Sequence, residues 1–135
     1  MSIKRRSNDD AEWARVREFV LRRDGRACRL LKCLSPLEAK LYVGDNERGV
    51  DPAHVFSAAS RPDLLYNAEN VVCLRRTVHR RMDEYRSPID GSHISLEMHW
   101  YWWYRILCGR VLPIDELNYE SLCLLRITGL DARQL

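Results

Sequence analysis

Three side chains between residues 50 and 86 could carry acid–base and metal chemistry. His54 lies in a short apolar run, Asn70 opens a second such run, and His79 follows with eight residues between it and Asn70. A neutral imidazole can take a proton from water at physiological pH, and it can also bind a metal ion. Hydrolysis of a phosphodiester needs a nucleophilic water and a cation beside the developing negative charge. The three residues therefore indicate a site rather than a core pattern.

Two short strands and one helix are expected to position these side chains. Val50–Phe56 and Asn70–Leu74 have the composition of brief strands, and the polar, proline-containing segment Ser57–Glu69 would join them. Thr77 is the expected N-cap of a helix that runs to about Tyr85. The order strand, strand, helix then brings the residues of the site onto neighbouring elements.

The order His, Asn, His in this setting resembles the HNH family of metal-dependent nucleases. The run N-V-V-C-L after Asn70 and the place of His79 early in a helix also look like the family. The stretch V-R-E-F-V-L-R-R-D-G-R-A-C is similar to the segment that often precedes HNH sites. The resemblance implies an α+β fold with a ββα-metal centre, a hairpin backed by one helix, that hydrolyses or nicks DNA with Mg²⁺ or Mn²⁺.

By the same resemblance, each of the three residues takes one role. His54 stands where the family has its general base, Asn70 where an asparagine orients that base and the hairpin, and His79 where the helix contributes a metal ligand. The match covers residues 50–86, which we take as the core motif.

The position before the base departs from the family pattern. Many members have a metal-binding Asp or His there, whereas this chain has Ala53. Asp51 would share the strand face of Ala53, one pleat or roughly 6.5 Å upstream, and is our predicted replacement ligand. Asp83 lies four residues after His79, on the same helical face. It could be a ligand, a salt-bridge acid, or a partner that holds the imidazole from outside the metal shell, and we prefer the last role.

Arginine dominates the positive charge of the chain. The net charge is only +3, but 19 of the 22 basic residues are arginine, and residues 75–86 hold five of them against two acids. The planar guanidinium suits phosphate oxygens, so DNA is the expected partner. The predicted phosphate contacts, each with an ordinary solvated surface as its alternative, are Arg61, Arg75, Arg76, Arg80 and Arg81.

Two cysteines have the spacing of half a zinc site. Cys28 and Cys33 lie where many HNH-like proteins carry the first pair of a structural zinc site. The second pair is missing, because Arg75 and Val78 stand in place of its cysteines and Cys73 is out of register. A closed zinc site needs four such ligands, so we expect buried or spare thiols and no structural zinc.

Helices are predicted on both sides of the motif. Asp9–Arg23 should form an amphipathic helix capped by Asn8 or Asp9. Residues 92–129 should form a helical scaffold, with one helix that stops at Gly109 and another from about Ile114 to Ile127. The predicted core residues of the first and last helices are Trp13, Val16, Phe19, Val20, Leu117, Leu122, Leu125 and Ile127.

The composition indicates one domain spanning residues 1–135. No apolar run approaches the roughly 20 residues of a bilayer span, and no signal-peptide core follows the first residues, so we expect a cytoplasmic protein with no membrane partner. A monomer would nick one strand, whereas a homodimer could cut both. Two alternatives remain open: a DNA-binding module that keeps the hairpin without activity, and an interaction protein that docks a partner through its Trp/Tyr-rich segment, residues 100–104.

Overall fold

The computed structural model describes residues 3–44, 49–115 and 118–129, with side chains from Asp10 onward. Within these ranges the chain is α+β, with helices around one two-stranded antiparallel sheet. Three short 3-10 turns, at Arg29–Cys33, Pro62–Leu64 and Ala68–Asn70, connect the larger elements. The larger elements are α1 (Ile3–Arg23), α2 (Pro36–Leu41), β1 (Val50–His54), β2 (Val71–Arg75), α3 (Arg76–Asp83), α4 (Leu96–Cys108) and α5 (Tyr119–Thr128).

The strand–strand–helix order predicted for the motif is present. β1 pairs with β2 so that His54 lies opposite Val71, and Val50 lies opposite Arg75. Because α3 follows β2 without a loop, it starts at the Val50 end of the hairpin. The element bounds differ from the prediction: β1 ends at His54, β2 starts at Val71, and Thr77 lies inside the first turn of α3 instead of capping it.

The hairpin is covered on both faces, since strand side chains alternate between them. Ala53, Val72 and Leu74 belong to the main core together with Val78 and Met82 of α3. The opposite face of β2 packs against α1. The buried residues of that second cluster are Val20, Leu21, Val71 and Cys73. The site is thus built on a hairpin held between two helices.

Helix α1 starts earlier than predicted and presents a narrower core face. It begins at Ile3, so neither Asn8 nor Asp9 caps it. Val20 is buried and Trp13 is half-buried as expected, but Phe19 is 55% exposed. The strands of a sheet are roughly 5 Å apart, so a two-stranded hairpin covers only a thin stripe of a helix, and Phe19 falls outside it.

Asp24 fastens α1 to the hairpin. Its carboxylate accepts hydrogen bonds from the backbone N–H of Cys73 at 2.9 Å and from Nε of Arg23 at 2.9 Å. Arg23 also donates to the carbonyl of Ala68 at 2.8 Å. Burial by itself would raise the pKa of Asp24, but these hydrogen bonds and the positive charges of Arg23 and Arg29 hold that pKa below its ordinary value. The position of α1 over the hairpin is therefore fixed.

The aromatic segment belongs to the core. α4 starts at the cap Ser95 and ends at Gly109, whose φ of +69° suits glycine. Four successive aromatic side chains of this helix are buried, and Tyr104 is half-buried, so the helix is enclosed on nearly all sides. The buried residues are Trp100, Tyr101, Trp102 and Trp103. Most of the surface of these rings is therefore enclosed in the core.

The last helix, α5, is shorter than predicted, with Tyr119 rather than Ile114 as its first residue. Ile127 is buried as expected, whereas Leu125 is 39% exposed. Leu117 lies outside the described residues. Across residues 3–44, 49–115 and 118–129, no helix combines the length and apolar character that a bilayer span requires.

An ion pair between Glu38 and the buried Arg105 joins α2 to α4. Ser35 and Glu38 form a capping box at the start of α2. The guanidinium of Arg105, which is only 2% exposed, donates to both carboxylate oxygens of Glu38 at 2.7 and 2.6 Å and lies 4.4 Å from the ring centre of Trp102. The hydrogen bonds from Arg105 lower the pKa of Glu38 to about 2.

Candidate active site

The ring of His54 is fixed at the end of β1. Its Nε2 lies 2.9 Å from the carbonyl oxygen of Leu65. A carbonyl oxygen can only accept a hydrogen bond, so Nε2 carries the proton and donates it. In the neutral ring, Nδ1 therefore keeps its lone pair. Such a nitrogen can accept a proton from a nearby water.

An indole from α1 covers the same ring. Trp13 stacks on His54 with 5.1 Å between ring centres and an angle of 23° between the ring planes. The sequence placed Trp13 on the core face of its helix and did not connect it with the histidine. The stacking restricts the tilt of the imidazole, while the bond to Leu65 restricts its rotation.

Asn70 holds the chain on both sides of the loop that carries Leu65. It is fully buried, and its Oδ1 accepts the N–H of Phe56 at 2.9 Å. Its Nδ2 donates to the carbonyls of Phe56 at 3.0 Å and Leu64 at 3.2 Å. The segment after β1 and the loop before β2 are thereby locked together. This brings the Leu65 carbonyl against His54.

His79 lies between two carboxylates. Its Nδ1 is 3.9 Å from Oδ2 of Asp51, and its Nε2 is 3.3 Å from Oδ2 of Asp83. Asp51 pairs with Leu74 across the hairpin, so it lies beside the start of α3. Asp83 is one turn beyond His79 on the exposed face of the helix. The hairpin and the helix thus combine three ligand-type side chains.

Asp83 also shares a cleft with His54. Since β2 runs antiparallel to β1 and α3 turns back over the hairpin, the last turn of α3 lies at the His54 end. A cleft of about 750 Å³ is lined by His54, Arg61 and Asp83 among others, whereas neither Asp51 nor His79 is among its lining residues. Asp83 is therefore the carboxylate that faces the space next to the predicted base.

His79 and its two neighbouring carboxylates offer donor types that a hard divalent ion binds. One nitrogen of His79 could bind the ion together with the carboxylate on that side, while the carboxylate on the other side would act on the ring through its charge, since Nδ1 and Asp51 are 3.9 Å apart. Mg²⁺ and Mn²⁺ accept such oxygen and nitrogen donors and keep several waters. Ala53 is fully buried and supplies no ligand. Among the described residues there is no compact group of three ligands that could enclose an ion, so water and substrate would complete the shell.

Two of the predicted phosphate contacts are already engaged. Arg61 forms a paired hydrogen bond with Asp63, at 2.9 and 2.7 Å, and this bond raises the pKa of the guanidinium. Arg81 donates to the carbonyls of Pro88 at 3.2 Å and Ile89 at 3.4 Å, which fastens the end of α3 to the following turn. Arg61 still faces the cleft, but part of its charge is neutralised.

Arginines at the start and middle of α3 are more open. Arg76 is exposed and lies 3.6 Å from a carboxylate oxygen of Asp51, Arg80 is exposed, and Arg75 is half-buried at the end of β2. Arg76 and Arg80 are therefore the arginines of this set that remain most available to a phosphate backbone.

The cysteines near the site are buried. Cys28, Cys33 and Cys73 are each at most 3% exposed. Burial raises the pKa of Cys33 to about 12 and that of Cys73 to about 11, so both thiols stay protonated at neutral pH. Zinc binds the thiolate, and Arg75 and Val78 offer no second pair of sulfur ligands.

Sequence reasoning missed four components of this region. They are the Leu65 carbonyl, the stacking of Trp13 on His54, and two further rings that line the cleft, Tyr85 and His99. A backbone carbonyl has no signature in the sequence, and a single histidine outside the motif gave no reason to assign it chemistry. No family model, curated protein or solved structure matches the chain.

Proposed function

We propose that this protein is a metal-dependent endonuclease that hydrolyses DNA phosphodiester bonds, with a ββα-metal centre like that of the HNH family. The observation that carries the proposal is the bond from Nε2 of His54 to the Leu65 carbonyl. It leaves Nδ1 as the basic nitrogen of a ring that Trp13 also holds in place. An imidazole oriented in this way is suited to deprotonate a water that attacks phosphorus.

His79 and Asp83 would hold the metal ion. The sequence favoured Asp51 as the ligand and Asp83 as the supporting partner, but Asp83 lies nearer to His79, at 3.3 Å against 3.9 Å, and also lines the cleft that contains His54. Asp51, on the Nδ1 side of His79, then serves as the supporting partner. When bound, Mg²⁺ or Mn²⁺ supplies the positive charge that stabilises the phosphate and the leaving oxygen.

The other residues of the site position the substrate and the base. Asn70 keeps the Leu65 carbonyl against His54 through its bonds to both flanking segments. Arg76 and Arg80 present charge on the exposed surface of α3, where the DNA backbone can pass. With one such site per chain, a monomer would nick a single strand.

Supercoiled plasmid tests this function. With Mn²⁺ or Mg²⁺ the protein should convert supercoiled plasmid to open circles before linear product accumulates, and EDTA should stop the reaction. His54→Ala should lower the rate by about 10²- to 10⁴-fold, the usual contribution of a general base. His93→Ala removes an exposed histidine outside the site and serves as the matched control. Equal rates for His54→Ala and the parent protein would reject the assignment.

One observation favours a second function. Ala53 is buried at the position where many members of the HNH family have a metal-binding residue, so the chain could bind DNA through its hairpin without cutting it. This function predicts salt-sensitive DNA binding with no metal-dependent cleavage. The plasmid experiment, repeated as a binding titration at two salt concentrations, separates the two functions.

A further inference from the structure

A stack of aromatic rings forms one wall of the cleft next to His54. The ring of Tyr85 lies on the imidazole of His99, with 3.9 Å between ring centres and 24° between ring planes. Trp100 touches His99 edge-on and stacks on Phe56 at 4.8 Å. All four rings line the cleft. An aromatic wall therefore begins beside the residues proposed to cut the phosphodiester.

Tyr85 is held in an unusual backbone conformation. Its φ is +58°, just beyond the end of α3, where helices commonly place glycine because other side chains rarely adopt this conformation. Hydrogen bonds from Tyr85 N to the Met82 carbonyl at 3.2 Å and from Arg86 N to the Arg81 carbonyl at 2.8 Å hold the turn. Tyr85 nevertheless remains 50% exposed, although one face of its ring covers His99. A bulky, half-exposed ring at such a position is more typical of a binding surface than of a core contact.

His99 gives the wall a buried polar atom. The residue is 3% exposed, and no described residue makes a hydrogen bond to its Nδ1. Burial lowers the pKa of His99 to about 4, so the ring is neutral at physiological pH. A buried polar atom without a partner is costly, and because this atom is enclosed, a ligand would meet the exposed ring of Tyr85 rather than His99 itself.

On the premise that the neighbouring centre is the nuclease proposed above, we propose that Tyr85 is a stacking platform for an unpaired base of the DNA strand being cut. If the cut phosphate lies beside His54, the neighbouring nucleotide can reach the same cleft and offer its flat base to the half-exposed ring of Tyr85. Bases within a duplex are stacked on both faces, so only an unpaired or displaced base can occupy this wall. The preferred substrate is therefore single-stranded or locally unpaired DNA.

Binding without metal tests the platform directly. A fluorescent single-stranded oligonucleotide and a blunt duplex of the same sequence are titrated in EDTA at fixed salt. Tyr85→Leu should weaken binding of the single strand by about 5- to 150-fold, the range expected for one base–aromatic stack, and leave the duplex affinity unchanged. Tyr85→Phe, which keeps the ring, should restore the parent affinity. Phe19→Leu makes the same kind of change at an exposed ring far along α1 and should change neither affinity.

The outcomes distinguish this proposal from the nuclease proposal. If Tyr85→Leu binds the single strand as tightly as the parent protein, or loses both substrates equally, the platform is rejected even when plasmid is cut. If the ring of Tyr85 is required for single-strand binding but no DNA is cut with Mn²⁺, the nuclease proposal fails. The proposed role of Tyr85 in cleavage then fails with it, and the cleft is a single-strand binding site without nuclease activity. If both hold, Tyr85→Leu should raise KM for a single-stranded substrate with little change in kcat. Thermal unfolding of each variant verifies that it folds.

Discussion

The Nε2 atom of His54 and the carbonyl oxygen of Leu65 lie 2.9 Å apart, which fixes the tautomer of the imidazole. The two residues are 11 positions apart in the chain, and Asn70 holds the intervening loop in place. Because Nε2 is the donor, Nδ1 is the nitrogen that can act as a base. The chemistry proposed for the site therefore depends on one backbone carbonyl and on the asparagine that places it.

Replacing Asn70 should damage stability and activity together. In Asn70→Asp the donor Nδ2, which faces the carbonyls of Phe56 and Leu64, becomes a buried acceptor, so two hydrogen bonds are lost and the carboxylate is repelled by the partial negative charges of the carbonyl oxygens. We expect a loss of about 2–5 kcal/mol in the free energy of unfolding. Urea unfolding measures it. Asn67→Asp is the matched control, because Asn67 uses its side-chain oxygen to accept the N–H of Glu69, and aspartate can do the same. If Asn70→Asp were as stable as Asn67→Asp, the proposed role of Asn70 in holding the segment after β1 and the loop before β2 together would be wrong.

Replacing the carboxylates beside His79 should identify the metal ligand. Asp83→Asn should weaken Mn²⁺ binding more than Asp51→Asn does, because Asp83 faces the cleft and Asp51 is proposed only to support the imidazole. Loss of a supporting partner typically costs about 10- to 100-fold in metal affinity, and loss of a ligand should cost more. Calorimetric titration of Mn²⁺ in the absence of DNA provides the measurement, and Glu84→Gln, at an exposed acid beside Asp83, is the control. If Asp51→Asn lost more Mn²⁺ affinity than Asp83→Asn, Asp51 would be the ligand instead.

The stacking of Trp13 should matter for catalysis beyond its contribution to packing. Trp13→Leu keeps an apolar side chain at this position of α1 but removes the ring that restricts the tilt of His54. We expect the nicking rate to fall by roughly tenfold, an energy of about 1.4 kcal/mol, with little change in DNA affinity. Trp13→Phe should recover most of the rate. Val16→Ala, a second half-buried position of α1, should lower stability without lowering the rate of the folded protein. A Trp13→Leu rate equal to that of Val16→Ala would argue against the positioning role.

The pair of Glu38 and Arg105 should make stability depend on acid pH. Hydrogen bonds from Arg105 lower the pKa of Glu38 from 4.5 to about 2 in the folded state, so folding favours the ionised carboxylate. The contribution, on the order of 3 kcal/mol, is complete above about pH 5 and is lost as the pH falls towards 2. Urea unfolding between pH 2.5 and pH 7 should show this loss, and Glu38→Gln should flatten that part of the curve. Glu97→Gln, at an exposed acid, should leave the slope unchanged.

Local patterns in the sequence predicted much of the local structure. Residue types and spacings of two to four positions were enough to predict the two strands, the helix after them and the end of α4 at Gly109. Spacings of this length describe interactions within a single element. The absence of a ligand at position 53 was also evident from the residue itself. The predicted first residues of helices were less accurate, since α1 starts at Ile3 and α5 at Tyr119. Helix propensity is a weak signal near a helix end, and tertiary packing decides where the helix begins.

The sequence alone determined which ligand-type residues the chain has, that His54 lies in the hairpin, that Asn70 lies close to its second strand, and that His79 lies in the helix that follows. Only the tertiary structure decided that Leu65 orients His54, that Trp13 covers it, and that Asp83 rather than Asp51 faces the same cleft. These relationships join residues from different elements. They depend on the direction in which α3 turns back and on how α1 packs across a narrow sheet, and neither is encoded in the spacing of neighbouring residues.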